Sequence, residues 1–259
     1  MSSLEFSQLD GEKTIAVMPV GAVEQHGPHL PVVVDACLLD GILERAIALM
    51  PEDLPVTILP TLAIGKSNEH SRYPGTLTLS TETLMQMWLE IGACVAAAGV
   101  RKLVLFNSHG GQTSLIDIVG RELRIKHKML VVSSSWFALG LPKGLFDENE
   151  IQHGIHGGAI ETSMMLKLAP ELVQMKQAQD FHSFTQDLAE ESSRVSLSSG
   201  GKLAWQTQDL NPLGACGNAL NADAQKGEKL IDHAARSLIE LLQDLERLPL
   251  SVLDREPAW

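Results

Sequence analysis

Short apolar runs alternate with longer segments of helical period along this chain. Lys13–Gly21, "KTIAVMPVG", is a continuous apolar stretch of the kind a buried parallel strand shows. Ala36–Met50 then places Leu38, Ile42, Ala46 and Leu49 on one side of a helix, and Pro51 stops it. Val56–Gly65 reads as a second strand. Ser80–Gly99 reads as a long helix opened by a Ser80 cap, with Glu82 and Thr83 close behind. Arg101–Gly111 is a strand running into a glycine turn, Gln112–His127 a helix, and Met129–Trp136 a strand. From Phe137 to Gly154 the pattern is that of a loop. Gly157–Ala169 is helical up to Pro170. The stretch from about Gln177 to Asn221 is polar, and "SLSSGGK" within it reads as flexible. Ala222–Leu248 is an amphipathic closing helix. Strands and helices alternating at these lengths predict a single α/β domain over residues 1–259, with a mostly parallel sheet flanked by helices.

Composition narrows the function. The 259 residues are 44% hydrophobic and only 4% aromatic, with a formal net charge of −12. An acidic chain lacks the basic surface that nucleic acid or an anionic membrane attracts. No apolar run reaches the roughly 18 residues of a membrane span, and "MSSLEFSQLD" has no apolar signal region, so a cytoplasmic protein is expected. Cys37, Cys94 and Cys216 form no C-x-x-C pair; Cys37 and Cys94 lie in apolar helical segments and read as buried small hydrophobes.

The chemistry gathers where strands end, the rim at which open α/β sheets bind ligands. Glu24 and His26 follow the first strand as an i, i+2 pair, so in extended backbone both point to one side. Asp35 stands at the next helix start, where it also fits a helix cap. His109 directly follows the strand "KLVLF", and His156 and Glu161 flank the third helix start. His109 and His156 also fit plain turn residues before glycines. Together, carboxylates and imidazoles on one rim are a donor set for Zn, Mn or Fe(II), and Glu24, His26, Asp35, His109 and Glu161 suffice for two ions if a carboxylate bridges them. There is no G-x-S-x-G, G-x-G-x-x-G or G-x-x-x-x-G-K-[ST], so serine-elbow, dinucleotide and P-loop chemistry lose their markers.

Five ordered segments resemble the creatininase family: "MPVGAVEQHGPHLPVVVD", "SRYPGTLTLS", "VLFNSHGGQ", "HGGAIETSMML" and "GNALNADAQKGEKLID". The resemblance implies a creatininase-like fold, a homo-oligomer of hexamer type, and a site with two divalent ions, zinc foremost and manganese or iron as alternatives. Carried over by position, Glu24 and His109 hold one ion, His26 and Glu161 the other, and Asp35 bridges. His29 becomes a residue that orients a carboxylate, or a plain turn histidine. His156 becomes the general acid that protonates the leaving nitrogen. The substrate side departs from creatininase itself, which has a Glu where Gly111 stands and a Trp where Gln152 stands. Trp136 matches a second substrate-side Trp and also fits a core residue. His70 or Glu69, from "SNEH", could supply the missing proton carrier, or could form a solvated loop. The expected activity is metal-dependent hydrolysis of a C–N bond in a small non-protein amide. A formamide hydrolase or peptidase of the same family is the alternative, and a metal-binding scaffold without catalysis the non-enzyme reading.

Overall fold

The computed structural model describes residues 1–192, 194–197 and 200–259. Four parallel strands form the main sheet in the order β2-β1-β3-β4: β1 (Ile15–Val20), β2 (Val56–Ile58), β3 (Lys102–Asn107) and β4 (Leu130–Ser135). β1 and β3 pair in register from Ile15↔Lys102 to Val20↔Asn107, so both end at the same height. Both are buried throughout, as their continuous apolar sequence requires of inner parallel strands.

Alternation along these strands divides the core in two. Ile15, Val17, Val104 and Phe106 face α1 (Val34–Leu49), α5 (Ala159–Leu168) and α7 (Ala224–Arg247). Ala16, Met18, Val20, Leu103 and Leu105 face α2 (Thr81–Ala97) and α3 (Thr113–His127). Each large side chain removed from water in these layers contributes about 1.5–3 kcal/mol. Buried Lys102 breaks the apolar pattern of β3 for a reason: its Nζ donates to Leu245 O at 3.0 Å and Glu246 O at 2.6 Å. It thereby satisfies carbonyls that the last turn of α7 leaves open.

Four expectations change. The second strand stops at Ile58 because Pro60 offers no N–H to the ladder, and pairing survives beyond it only as a single bridge, Val20↔Leu62. The Phe137–Gly154 loop contains α4 (Glu148–His153), capped by Asp147 accepting from Glu150 N at 2.8 Å. The polar stretch is largely folded. It holds α6 (Phe184–Glu191) with a Ser183–Gln186 capping box, and it buries Phe181, Thr207, Leu210, Ala215 and Cys216. Within "SLSSGGK", Ser198 and Ser199 lie outside the described residues. Cys94 is exposed and Cys37 half-buried, because each sits on the margin of its helix's apolar stripe; all three thiols are free. Among the described residues, no helix is long and apolar enough to cross a membrane.

Candidate metal centre

The carboxyl ends of β1 and β3, the start of α1 and the start of α5 meet at one point. After β1 the chain runs extended, and Gly27 (φ +71°) then turns it. Glu24 and His26 therefore face the same way, with Glu24 Oε1 4.0 Å from His26 Nε2. Asp35 does not cap α1, whose cap position is Val33; it lies inside the first turn with its carboxylate free to point at the cluster. Asp35 Oδ1 is 3.6 Å from His26 Nε2, and Asp35 Oδ2 is 3.5 Å from His109 Nδ1. His109 Nδ1 is also 3.1 Å from Glu24 Oε2. From α5, Glu161 Oε2 reaches within 3.8 Å of His26 Nε2 while accepting from Gly157 N–H at 2.6 Å. Gly157 stands at φ +64°, with His26 O 3.2 Å from where a Cβ would be, so the turn that delivers Glu161 needs a glycine.

All five residues singled out as ligands thus converge, and two more imidazoles join them. His70 Nε2 lies 3.3 Å and His156 Nδ1 3.7 Å from Glu24 Oε1. Three triads, Glu24–Asp35–His109, His26–His156–Glu161 and Glu24–His70–His156, each offer three donor atoms within 4.8 Å of one another.

The backbone fixes which ring nitrogens carry protons. A carbonyl only accepts, so His26 Nδ1–H donates to Glu24 O (3.0 Å), His109 Nε2–H to Lys66 O (2.9 Å) and His156 Nε2–H to Gln25 O (2.7 Å). In the neutral rings, His26 Nε2, His109 Nδ1 and His156 Nδ1 then face the carboxylates with lone pairs. His70 is the reverse. Gly27 N–H holds Gln25 Oε1 at 2.9 Å, so the Gln25 amide NH₂ faces His70 Nδ1 at 2.8 Å and the proton stays on His70 Nε2. Lone pairs aimed at carboxylates repel, and Glu24 Oε2, His26 Nε2 and Asp35 Oδ2 are buried with no hydrogen-bond partner. Such a cluster calls for positive charge at its centre, and its donor set fits a divalent ion.

Titration reflects the same demand. Burial pushes the Glu24 carboxyl up, but His109, His70 and His156 outweigh it and hold it well below the usual range. Burial opposes charge on His26, yet Asp35, Glu161 and Glu24 raise it to about 9. Burial likewise opposes charge on His109, yet Glu24, Glu69 and Asp35 lift it well above its ordinary value. Burial and the Glu24 charge raise Asp35 to about 7, and burial raises Glu161. Burial holds His70 down to about 4, and burial with His26 and His70 keeps His156 well below its usual value.

His29 stands beside the cluster. Its Nε2 is 2.9 Å from Thr162 Oγ1 and its ring stacks on Phe181 at 5.2 Å. Burial lowers it from 6.5 to about 4. Between those values the unfolded chain binds a proton that the folded chain does not. Stability from this group is therefore full above about pH 6.5 and falls as pH drops toward 4. Thermal unfolding followed from pH 7 to 4 is expected to show a shallower decline in His29→Gln than in the wild type.

Among the substrate-side residues, His70 and Gly111 border the cluster. Gln152 does not: it is exposed on α4, donating to Glu148 Oε2 at 3.3 Å. Trp136 is 4% exposed in the core beside Ile160, and its indole nitrogen has no partner. Sequence reading missed Gln25, although it lies between Glu24 and His26, because its work is to set a tautomer.

A family model described as Creatininase: Creatinine amidohydrolase matches residues 1–242. The chain belongs to the creatininase family. A mycofactocin precursor peptide peptidase from Mycobacterium tuberculosis (strain CDC 1551 / Oshkosh) is 33% identical over 176 residues, covering 66% of this chain and 64% of that protein. The chain thus spans less than two thirds of that curated relative. A creatinine amidohydrolase from Pseudomonas putida is 34% identical over 182 residues, covering 64% of this chain and 68% of that one. Creatininase-family folds recur among solved structures. A zinc–zinc creatininase variant has a TM-score of 0.76 at 23% identity, covering 96% of this chain and 97% of its own. A manganese creatininase gives the same figures.

Proposed function

We propose that this creatininase-family hydrolase is a metal-dependent amidohydrolase with a binuclear centre, cutting a C–N bond in a small non-protein amide. The observation that carries the reading is the pair of imidazole lone pairs, His26 Nε2 and His109 Nδ1, each facing buried carboxylates across 3.1–4.0 Å. Glu24 and His109 would hold one divalent ion and His26 and Glu161 the other, with Asp35 shared between them. Zinc is the first choice for this donor set, with manganese or iron next. When bound, such ions acidify water and polarise an amide carbonyl.

The chain's own side chains do the rest. His156 is locked through Nε2 on Gln25 O, so only Nδ1 is free toward the cluster. Burial keeps it neutral at rest, so it takes a proton from the attacking water at Nδ1 and gives it to the leaving nitrogen. His70 presents a fixed Nε2–H beside Glu24 and would donate to the substrate's carbonyl oxygen as charge builds there. The rim residues are tight enough to exclude bulk water, since Glu24, His26, Asp35, His70 and His109 are all at most 3% exposed. Such burial strengthens each of these interactions.

A short peptide is the second reading. It is favoured by similarity to a protein named as a peptide peptidase and by Gln152 facing solvent. An amide panel on the metal-loaded protein separates the readings: creatinine, cyclic and open small amides, formamides and short peptides. Creatinine turnover is expected to be at least about a hundredfold below the best substrate, since each lost positioning or proton-transfer contact costs about 10²-fold. Efficient creatinine hydrolysis would show that the carboxylate absent at Gly111 is not needed for creatinine.

A further inference from the structure

Gly111 opens a space that another part of the chain fills. A Cβ built on Gly111 would fall 1.6 Å from Glu69 Oε1 and 2.6 Å from His109 Nε2. The volume a side chain at 111 would take is therefore held by the Glu69 carboxylate, which enters from the turn Asn68–His70. That turn is fixed from behind by the polar segment, where Thr207 Oγ1 donates to Glu69 O at 3.1 Å.

Glu69 Oε1 lies 3.2 Å from His109 Nε2, but the Nε2 proton already goes to Lys66 O. Glu69 Oε1 is left buried with no hydrogen-bond partner. A buried carboxylate oxygen without a donor is costly, and a donor carried in by a ligand would relieve it. The position suits that role. The Glu69 side chain is 12% exposed and that of Glu161 14%, against 0–4% for Glu24, His26, Asp35 and His109. Glu69 thus borders the cluster and, with Glu161, is less buried than the other carboxylates there.

We propose that Glu69 is a specificity-determining residue whose Oε1 accepts an N–H of the substrate, in the space left by Gly111. The proposal rests on the reading of the cluster as a metal centre that hydrolyses amides. It means that the site prefers amides bearing an N–H and disfavours N-alkylated ones, whose alkyl group would press on the carboxylate.

Acetohydroxamic acid and N-methylacetohydroxamic acid test this. Both bind a divalent ion through the same two oxygens, and they differ only in N–H against N–CH₃. Their dissociation constants are measured on the full chain loaded with Zn²⁺, with metal content assayed alongside. Wild type is expected to bind the N–H probe at least about tenfold more tightly. Glu69→Ala should bring the ratio close to one at unchanged metal content. Glu69→Gln, equal in size and folded with the same packing, should lower it severalfold, because a neutral acceptor is weaker. No preference in wild type, an unchanged ratio in both variants, or loss of metal from Glu69→Ala would overturn the proposal; the last would make Glu69 a support for His109. A wild type that takes up no Zn²⁺ and binds neither probe would instead overturn the metal reading beneath it.

Discussion

Asp35→Ala is expected to lose both divalent ions and, with them, hydrolysis. Asp35 turns its two oxygens to different imidazoles, Oδ1 toward His26 and Oδ2 toward His109, at 3.6 and 3.5 Å, and it sits between them more evenly than Glu24, whose Oε1 is 4.0 Å from His26 and Oε2 3.1 Å from His109. In the proposed binuclear centre its removal would take a ligand from each ion and leave two cations close together without the charge between them. Activity should therefore fall by more than the ~10–100-fold that follows loss of a residue merely supporting a ligand. The metal-free variant should be no less stable than metal-free wild type, because a buried carboxylate oxygen without a partner is being deleted. The backbone link from Ser108 Oγ to Asp35 O, at 2.7 Å, survives the change. Metal content together with the melting point of the chelated protein checks this. Full metal retention in the variant would remove Asp35 from the bridge position.

The second large effect is kinetic. His156→Ala is expected to cut kcat by about 10²–10⁴-fold with both metals retained, the range for loss of a proton-transferring group. Amides with better leaving groups need less proton assistance and should suffer less. Two rivals predict otherwise. His156 Nδ1 shares a triad with His26 and Glu161, so a ligand role would cost metal occupancy. A role at the start of α5 would cost about a kilocalorie of stability and little rate. Metal content, melting point and rates on two amides of different leaving-group acidity separate all three. An equal loss on both amides would sink proton transfer at His156.

Much of this site could be read from the chain because each proposed ligand sits at a junction whose structure is local. Glu24 and His26 share a side because extended backbone alternates, and both follow a strand recognisable as buried. Asp35 and Glu161 lie in the first turns of helices whose apolar period is plain. The sheet and its order of elements were legible for the same reason. What could not be read depends on packing between distant segments. The sequence offers Glu69 for the role Gly111 leaves open, but nothing in it shows the carboxylate reaching into that space, or Gln25 setting the proton on His70. The polar stretch carries no periodic pattern, since Thr207 opens a helix of only four residues, Thr207–Leu210, and Cys216 is held by a single bridge to His156. Gln152 was singled out by its place in the chain, while the axis of α4 turns it to solvent. The second strand failed at Pro60, a breaker visible in the sequence but overridden there by the apolar run around it.

The central claim is that the cluster holds a pair of divalent ions needed for hydrolysis. Elemental analysis of protein purified without chelator tests it most directly, paired with the hydrolysis rate before chelation, after chelation and after metal is returned. The account predicts about two divalent ions per chain, lost and regained in step with activity. Active protein that carries no divalent ion, or a rate that chelation leaves unchanged, would contradict it.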